Sequence, residues 1–327
     1  MKKILISYFV FFLVSSHFKL SFSQDTISLS TEIHTTNEME KTHFNKKRFI
    51  AVTSLQTGMY AGSVAALSHI WYKDYPRTSF HFFDDSREWL QMDKVGHLFT
   101  SYYLVKMGCD MFEWSGTEKK RSVWIGAGAG FLYLTAIEIL DGFSADWGFS
   151  WTDISANVLG SALVIGQKIL QNNQTKSHLL KGVGAISLKF SFFPSDYSLY
   201  RPTLLGYNFA ENLIKDYNGQ TYWLSCNISS FLKTESRFPK FLNIAFGYGA
   251  DGMTGGNDNP PYFDGQGTQI IFHRYRQYYF SLDVDLTKIK THSKFIKILA
   301  ETFCFIKIPA PAIEFGKYGM KLHKLFY

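Results

Sequence analysis

Cysteine is scarce: Cys109, Cys226 and Cys304 are the only three in 327 residues, and this odd, widely spaced set supports no disulfide framework. With no C-x-x-C there is no zinc knuckle either. The chain has no G-x-S-x-G, no H-E-x-x-H and no P-loop, so serine-nucleophile, zincin and nucleotide chemistries lack their residues. Charged residues make up only 19%, and although the formal net charge is +7, Lys and Arg are scattered. No basic helix with interleaved base-stacking aromatics occurs, which argues against nucleic acid and suits an anionic membrane surface. What the chain has in quantity is apolar: 46% hydrophobic and 17% aromatic residues, enough to bury a sizeable core.

The first residues, "MKKILISYFVFFLVSSHFKLSFSQ", pair Lys2 and Lys3 with an apolar run from Ile4 to Val14 and small residues at Ser21 and Ser23. This pattern predicts a signal peptide over 1–23 and export. No cysteine lies near its end, so a lipid-anchored N-terminus is not expected there. Residues 24–47 are polar and read as a flexible segment.

Four helical stretches follow. The first, Phe49 to Ile70, is long enough to cross a hydrocarbon layer of about 20 apolar residues, yet it carries Thr53, Ser54, Gln56, Thr57 and Ser63. The others are 94–108, 122–140 and 152–170. The "GAGAG" of the third has no strand before it; Gly126 and Gly130, like Ala156 and Gly160 on the fourth, have the spacing that lets helix backbones approach closely.

Past residue 180 the period shortens to two, as in Tyr222, Leu224, Cys226, then Leu242, Ile244, Phe246, Tyr248, then Tyr278, Phe280, Leu282, Val284. The glycine-rich stretch 247–261 predicts an exposed loop, 293–306 a late helix, and "KIPAPAIEF" an extended segment. The expected fold is α+β: a bundle of about four apolar helices over 48–172, forming an envelope domain, then an antiparallel β-rich domain over 181–327 with length for a small barrel-like structure.

The polar residues of the helical part fall in pairs. Asp93 and His97 are spaced i,i+4, Glu138 and Asp141 i,i+3, and Asp153 and Asn157 i,i+4, so each pair shares a helix face. The short link 142–151 makes the third and fourth helices antiparallel neighbours; an antiparallel second helix brings all three pairs to one end. Four carboxylates there face one certain cation, Lys94, so a bound cation, a protonated His97 or a carboxyl with a raised pKa must compensate. The metal-ligand candidates are His97, Glu138, Asp141 and Asp153, for a divalent ion of unassigned identity. A purely structural network, with Ser150 capping the fourth helix beside Asp153, competes with this reading.

"DKVGH" at 93–97, followed by "EILDGFSADWGFSWTDISANVLGSAL" at 138–163, resembles an uncharacterised bacterial domain family described as predicted periplasmic lipoproteins, and more distantly VanZ-like membrane proteins. Asp93, Lys94, His97, Glu138, Asp153, Asn157 and Gly160 follow that motif order over roughly residues 50–170; the anchoring Cys of the lipoprotein description is missing and the β-rich half lies outside the match. The resemblance implies an exported protein of the bacterial cell envelope, facing the periplasm or associated with the outer membrane, and a helical domain, but no catalytic residues. Two functions compete: a membrane-associated role in which the polar cluster binds a lipid head group, envelope glycolipid or cation or helps organise the envelope, or hydrolase or transferase action on an envelope lipid or glycan. In the second, His97 shuttles a proton, Asp93 orients it, and Glu138 with Asp141 or Asp153 forms a carboxylate pair or metal platform. Aromatics Phe143, Trp147, Phe149 and Trp151 fit a membrane-interface belt or packing across the hairpin.

Overall fold

The computed structural model describes residues 43–70, 76–172, 183–232 and 236–326. The expected signal peptide and most of the expected flexible segment lie outside them. Four long helices come first: α1 (Lys46–Ile70), α2 (Met92–Trp114), α3 (Lys119–Asp141) and α4 (Trp151–Asn172). Helix α1 begins two residues inside the stretch read as flexible.

Close backbone approach sets how α2, α3 and α4 pack. A Cβ on Gly126 would meet the Cys109 amide nitrogen at 2.4 Å, and one on Gly160 would meet the Leu98 carbonyl oxygen at 2.3 Å. The small residues thus act as helix-packing points, as their spacing predicted. The buried side chains between them include Leu104, Val105, Leu134 and Ile137.

The β half contains β1 (Ile186–Phe192), the short helices α5 (Pro202–Leu205) and α6 (Phe209–Lys215), β2 (Gln220–Asn227), β3 (Leu242–Asp251), the two-residue strands β4 (Tyr262–Phe263) and β5 (Gln269–Ile270), β6 (Tyr275–Val284), α7 (Lys294–Thr302), β7 (Ala310–Gly316) and β8 (Gly319–Phe326). Six strands form one antiparallel sheet in the order β1-β2-β3-β6-β7-β8, and β4 pairs with β5 apart from it. The core is shared between the halves: Phe99 of α2 packs on Phe190 of β1 and Tyr222 of β2, and the Tyr103 hydroxyl donates to the Leu188 carbonyl at 2.5 Å.

Three expectations need correction. Of the four helices, α3 alone among the described residues is long and apolar enough to cross a membrane; the hydroxyls and amides of α1, and the charges of α2 and α4, lower their hydropathy. The sheet is open among the described residues, with β1 and β8 at its two ends, so it is no closed barrel. Its β1 margin is covered over a short length, where Phe190 and Ile306 form a parallel bridge. The glycine-rich stretch is also less exposed than predicted: Ala250, Met253 and Thr254 are fully buried. Side-chain amides replace water there, since Asn218 both donates to the Met253 carbonyl and accepts its amide at 2.8 and 2.7 Å, and Asn259 accepts the Thr254 amide at 2.8 Å.

Candidate functional site

The chain enters α2 through three consecutive left-handed residues, Trp89, Leu90 and Gln91, with φ of 49°, 50° and 65°. Non-glycine residues adopt this region at a cost, so a run of three persists only where surrounding contacts impose it. Those contacts come from the sheet half. The Trp89 amide donates to the Gly256 carbonyl at 2.7 Å, the Tyr248 hydroxyl donates to the Leu90 carbonyl, and Arg276 donates to Gln91 Oε1 at 2.5 Å. The turn delivers Asp93, Lys94 and His97 to the first turns of α2, beside the end of α3 and the start of α4.

Lys94 sits among three carboxylates. Its Nζ lies 2.6 Å from Asp85 Oδ2, 2.8 Å from Asp93 Oδ2 and 2.6 Å from Asp153 Oδ1. The remaining oxygens of the last two turn toward His97: its Nε2 is 3.9 Å from Asp93 Oδ1 and 3.6 Å from Asp153 Oδ2. On the other side of the ring, Nδ1 is 3.3 Å from Asn157 Oδ1 and 3.7 Å from Glu138 Oε1. A proton on Nδ1 is donated to Asn157 Oδ1, with Glu138 just beyond hydrogen-bond reach, and leaves the Nε2 lone pair facing Asp93 and Asp153. His97 is only 1% exposed, and its Nε2 finds no hydrogen-bond partner among the described residues.

Burial governs the protonation of this cluster. It pushes the His97 imidazole down to about 3 despite the neighbouring Asp93, so the ring is neutral at ordinary pH. It raises Glu138 well above the usual carboxylate range, helped by Asp141, and raises Asp153 likewise, helped by Asp93 and Glu138. Asp85 is also buried, yet the attraction of Lys94 prevails and holds it below its ordinary value. Lys94 in turn is raised, because the surrounding carboxylates outweigh its own desolvation.

Six of the seven predicted cluster residues meet in this arrangement: Asp93, Lys94, His97, Glu138, Asp153 and Asn157. Asp141 stands at its margin, where its Oδ1 accepts the Trp147 indole N–H at 2.7 Å. The capping role expected of Ser150 is present, its hydroxyl accepting the Asp153 amide at 3.1 Å. Two members escaped the sequence reading. Asp85 accepts from Ser150 and Thr152 at 2.6 and 2.8 Å while holding Lys94, and Tyr217 donates to Asp93 Oδ1 at 3.1 Å from 124 residues away. The acidic pair Asp84-Asp85 within the aromatic run 80–89 was a signal for the first; nothing local marked Tyr217. The hairpin aromatics pack on the preceding loop, with Phe82 stacked on Trp151 at 5.9 Å and Phe80 edge-on to Phe143 at 5.4 Å.

One family model matches part of the chain. Residues 81–167 match the family model described as Predicted periplasmic lipoprotein (DUF2279). The matched segment starts ahead of Asp85 and includes every residue of the cluster except Tyr217. This description accords with export and an envelope-associated location. The VanZ-like resemblance is carried by motif order alone. No curated protein and no solved structure gives a significant match.

Proposed function

We propose that this envelope protein binds a divalent cation through His97 Nε2, Asp93 Oδ1 and Asp153 Oδ2. One observation carries the reading: a buried imidazole nitrogen without a partner is aimed between two carboxylate oxygens. The three ligand atoms lie within 4.8 Å of one another. Ligands bonded at about 2.1 Å to one ion sit roughly 3.0–3.5 Å apart, so closing on a metal draws the donor atoms together by up to about 1–2 Å. Imidazole with two carboxylates suits zinc, manganese or ferrous iron.

The surroundings support the same reading. Asn157 and Glu138 fix the Nδ1 side of the ring, and Lys94 and Tyr217 orient the carboxylates, the usual outer contacts of a metal ligand set. A bound dication also offsets the carboxylate excess that otherwise forces Glu138 and Asp153 toward their neutral forms. Size favours the cation over the other candidate ligands: a group buried as deeply as His97 admits an ion more readily than a lipid head group, and an anionic head group meets the wrong charge.

Elemental analysis of the purified chain, beside His97→Ala and Asp153→Asn variants shown to be folded by circular dichroism, tests the proposal. One metal per chain, lost in both variants, is the expected result. A wild-type chain that carries no metal and shows no calorimetric binding of zinc or manganese overturns it.

A further inference from the structure

The six-stranded sheet is patterned in the reverse sense of a sheet with one wet face. On its enclosed side the side chains are mostly polar: Lys189, Ser225, Asn243, Ser281 and Asp283 are all 2% exposed or less. On the other side the residues are apolar, and the register aligns them in rows across the strands. One row runs Leu188, Leu224, Phe246, Phe280, Ile313, Leu322, each paired with the next through all six strands. Within it Leu224, Phe246 and Leu322 are 41%, 51% and 71% exposed. The adjacent row of the same face runs Tyr222, buried under α2, then Tyr248, then Tyr278, which is 52% exposed. Polar side chains enclosed and apolar ones turned outward, beside a row of tyrosines, is the arrangement of strands that face lipid.

The far margin of this apolar band is basic. Lys240 precedes β3 and Lys288 and Lys290 follow β6, all exposed. Helix α7 comes next, with exposed Phe295, Ile296 and Leu299 flanked by exposed Lys294 and Lys297. A short amphipathic helix with lysines beside its apolar face is suited to the head-group boundary of a membrane. Where the apolar row passes beneath α2 it lines a cavity of about 310 Å³, walled by Val95, Leu98 and Phe99 on the helix side and by Leu224, Phe246 and Tyr278 on the sheet side.

We propose that the outer face of the sheet docks on a lipid bilayer containing anionic head groups, with the row from Leu224 to Leu322 set among the acyl chains and the lysines at the phosphate level. The charge selects this occupant over a second copy of the chain, whose own lysine margin would be repelled. The fold sets the depth. Among the described residues β8 pairs with a strand on one side only, and an open sheet edge is not tolerated in hydrocarbon, so the sheet lies on the membrane by its face and does not span it. The cavity under α2 offers a place for the end of one acyl chain. This inference is independent of the cation site.

Flotation of the full chain with vesicles of phosphatidylglycerol and phosphatidylcholine tests it against a Phe246→Ser/Phe280→Ser/Leu322→Ser variant carrying the same N-terminal segment. Removing three large apolar groups from the contact is expected to weaken binding by about tenfold or more. Lys294→Gln/Lys297→Gln is expected to weaken binding to phosphatidylglycerol vesicles and leave pure phosphatidylcholine unaffected. Equal flotation of the wild type and the triple variant overturns the proposal. So does a wild type that stays off the vesicles, including one that elutes as a dimer dissolved by the triple substitution. Should the triple variant fail to fold, Leu322→Ser alone, on the end strand, is expected to lower flotation about threefold, and no change there overturns the proposal equally.

Discussion

Two regions of this protein bury ionisable groups, and they do so to different ends. Inside the sheet, Lys189 Nζ meets Asp283 Oδ2 at 2.6 Å and donates to the Val284 carbonyl at 2.6 Å. Ser225 donates to the same aspartate, Asn243 donates to Ser225, and Asn227 donates to Asn243, all within 2.8 Å. None of the buried unpartnered polar atoms among the described residues lies in a strand. At the converging helix ends, by contrast, carboxylates outnumber the cation and both His97 Nε2 and Asn157 Nδ2 are unpaired. A network completed by its own side chains holds a fold; one left incomplete around a directed lone pair is built to receive something.

The largest expected effect breaks that contrast if it fails. Asp283→Ala strands Lys189 and the nearby Lys307 in the sheet without a counter-ion, and breaking a buried pair in this way costs about 3–5 kcal/mol. Asp153→Asn at the helix ends is expected to change stability by less than about 1 kcal/mol, because Lys94 keeps Asp85 and Asp93 and the carboxylate excess falls. Urea unfolding of both variants reads the ranking. The reverse order would make the helical cluster the structural network.

Gly160→Ala ties the helical site to its scaffold. The added Cβ would meet the Leu98 carbonyl oxygen at 2.3 Å and the Tyr102 amide nitrogen at 3.0 Å, backbone atoms that cannot swing aside. Overpacking of this kind costs about 1–3 kcal/mol. Because the clash separates α4 from α2, it also draws Asp153 and Asn157 away from His97, so cation affinity is expected to fall together with the unfolding midpoint. Gly128→Ala, where an added Cβ meets nothing within 4 Å, is the control expected to leave cation affinity unchanged and, by its gain in helix propensity, to raise the midpoint slightly.

Much of the helical site was legible because helical spacing and a short connection are local facts. Asp93 with His97 and Asp153 with Asn157 each share a face, and the ten-residue link of 142–151 leaves α3 and α4 little choice but to return antiparallel. Strand positions were legible for the same reason, since alternation marks β2, β3 and β6 directly. What the sequence concealed was long-range. Tyr217 reaches Asp93 only because the sheet packs on α2, and the left-handed turn at Trp89–Gln91 is imposed by Gly256, Tyr248 and Arg276. Alternation also does not reveal which face of a sheet is enclosed. The alternation places Phe246 and Phe280 on strands without saying which way they face, and the structure turns them outward and encloses Lys189 and Asp283.

The smallest expected effect sharpens the comparison from the sheet side. Lys307 is 2% exposed, donates to the Ile308 carbonyl at 2.7 Å and lies 5.0 Å from the centre of the Trp223 ring. Burial, together with repulsion from Lys189, prevails over the attraction of Asp283 and pushes its ammonium down to about 8. The sign follows from proton counting. Between about pH 8 and the ordinary lysine value of 10.5, the unfolded chain holds this proton while the folded chain has released it, so stability contributed at this position rises with pH. Below pH 8 both forms are charged and the fold bears the full desolvation cost. Lys307→Met removes the titration, so the stability difference between wild type and variant is expected to shift by about 2–2.5 kcal/mol in favour of the wild type from pH 7.5 to pH 10. Subtracting one unfolding curve from the other cancels the tyrosines that titrate in the same range. A flat difference would mean that Asp283 keeps Lys307 charged throughout, and the sheet interior would then be as fully ion-paired as its hydrogen bonds are complete.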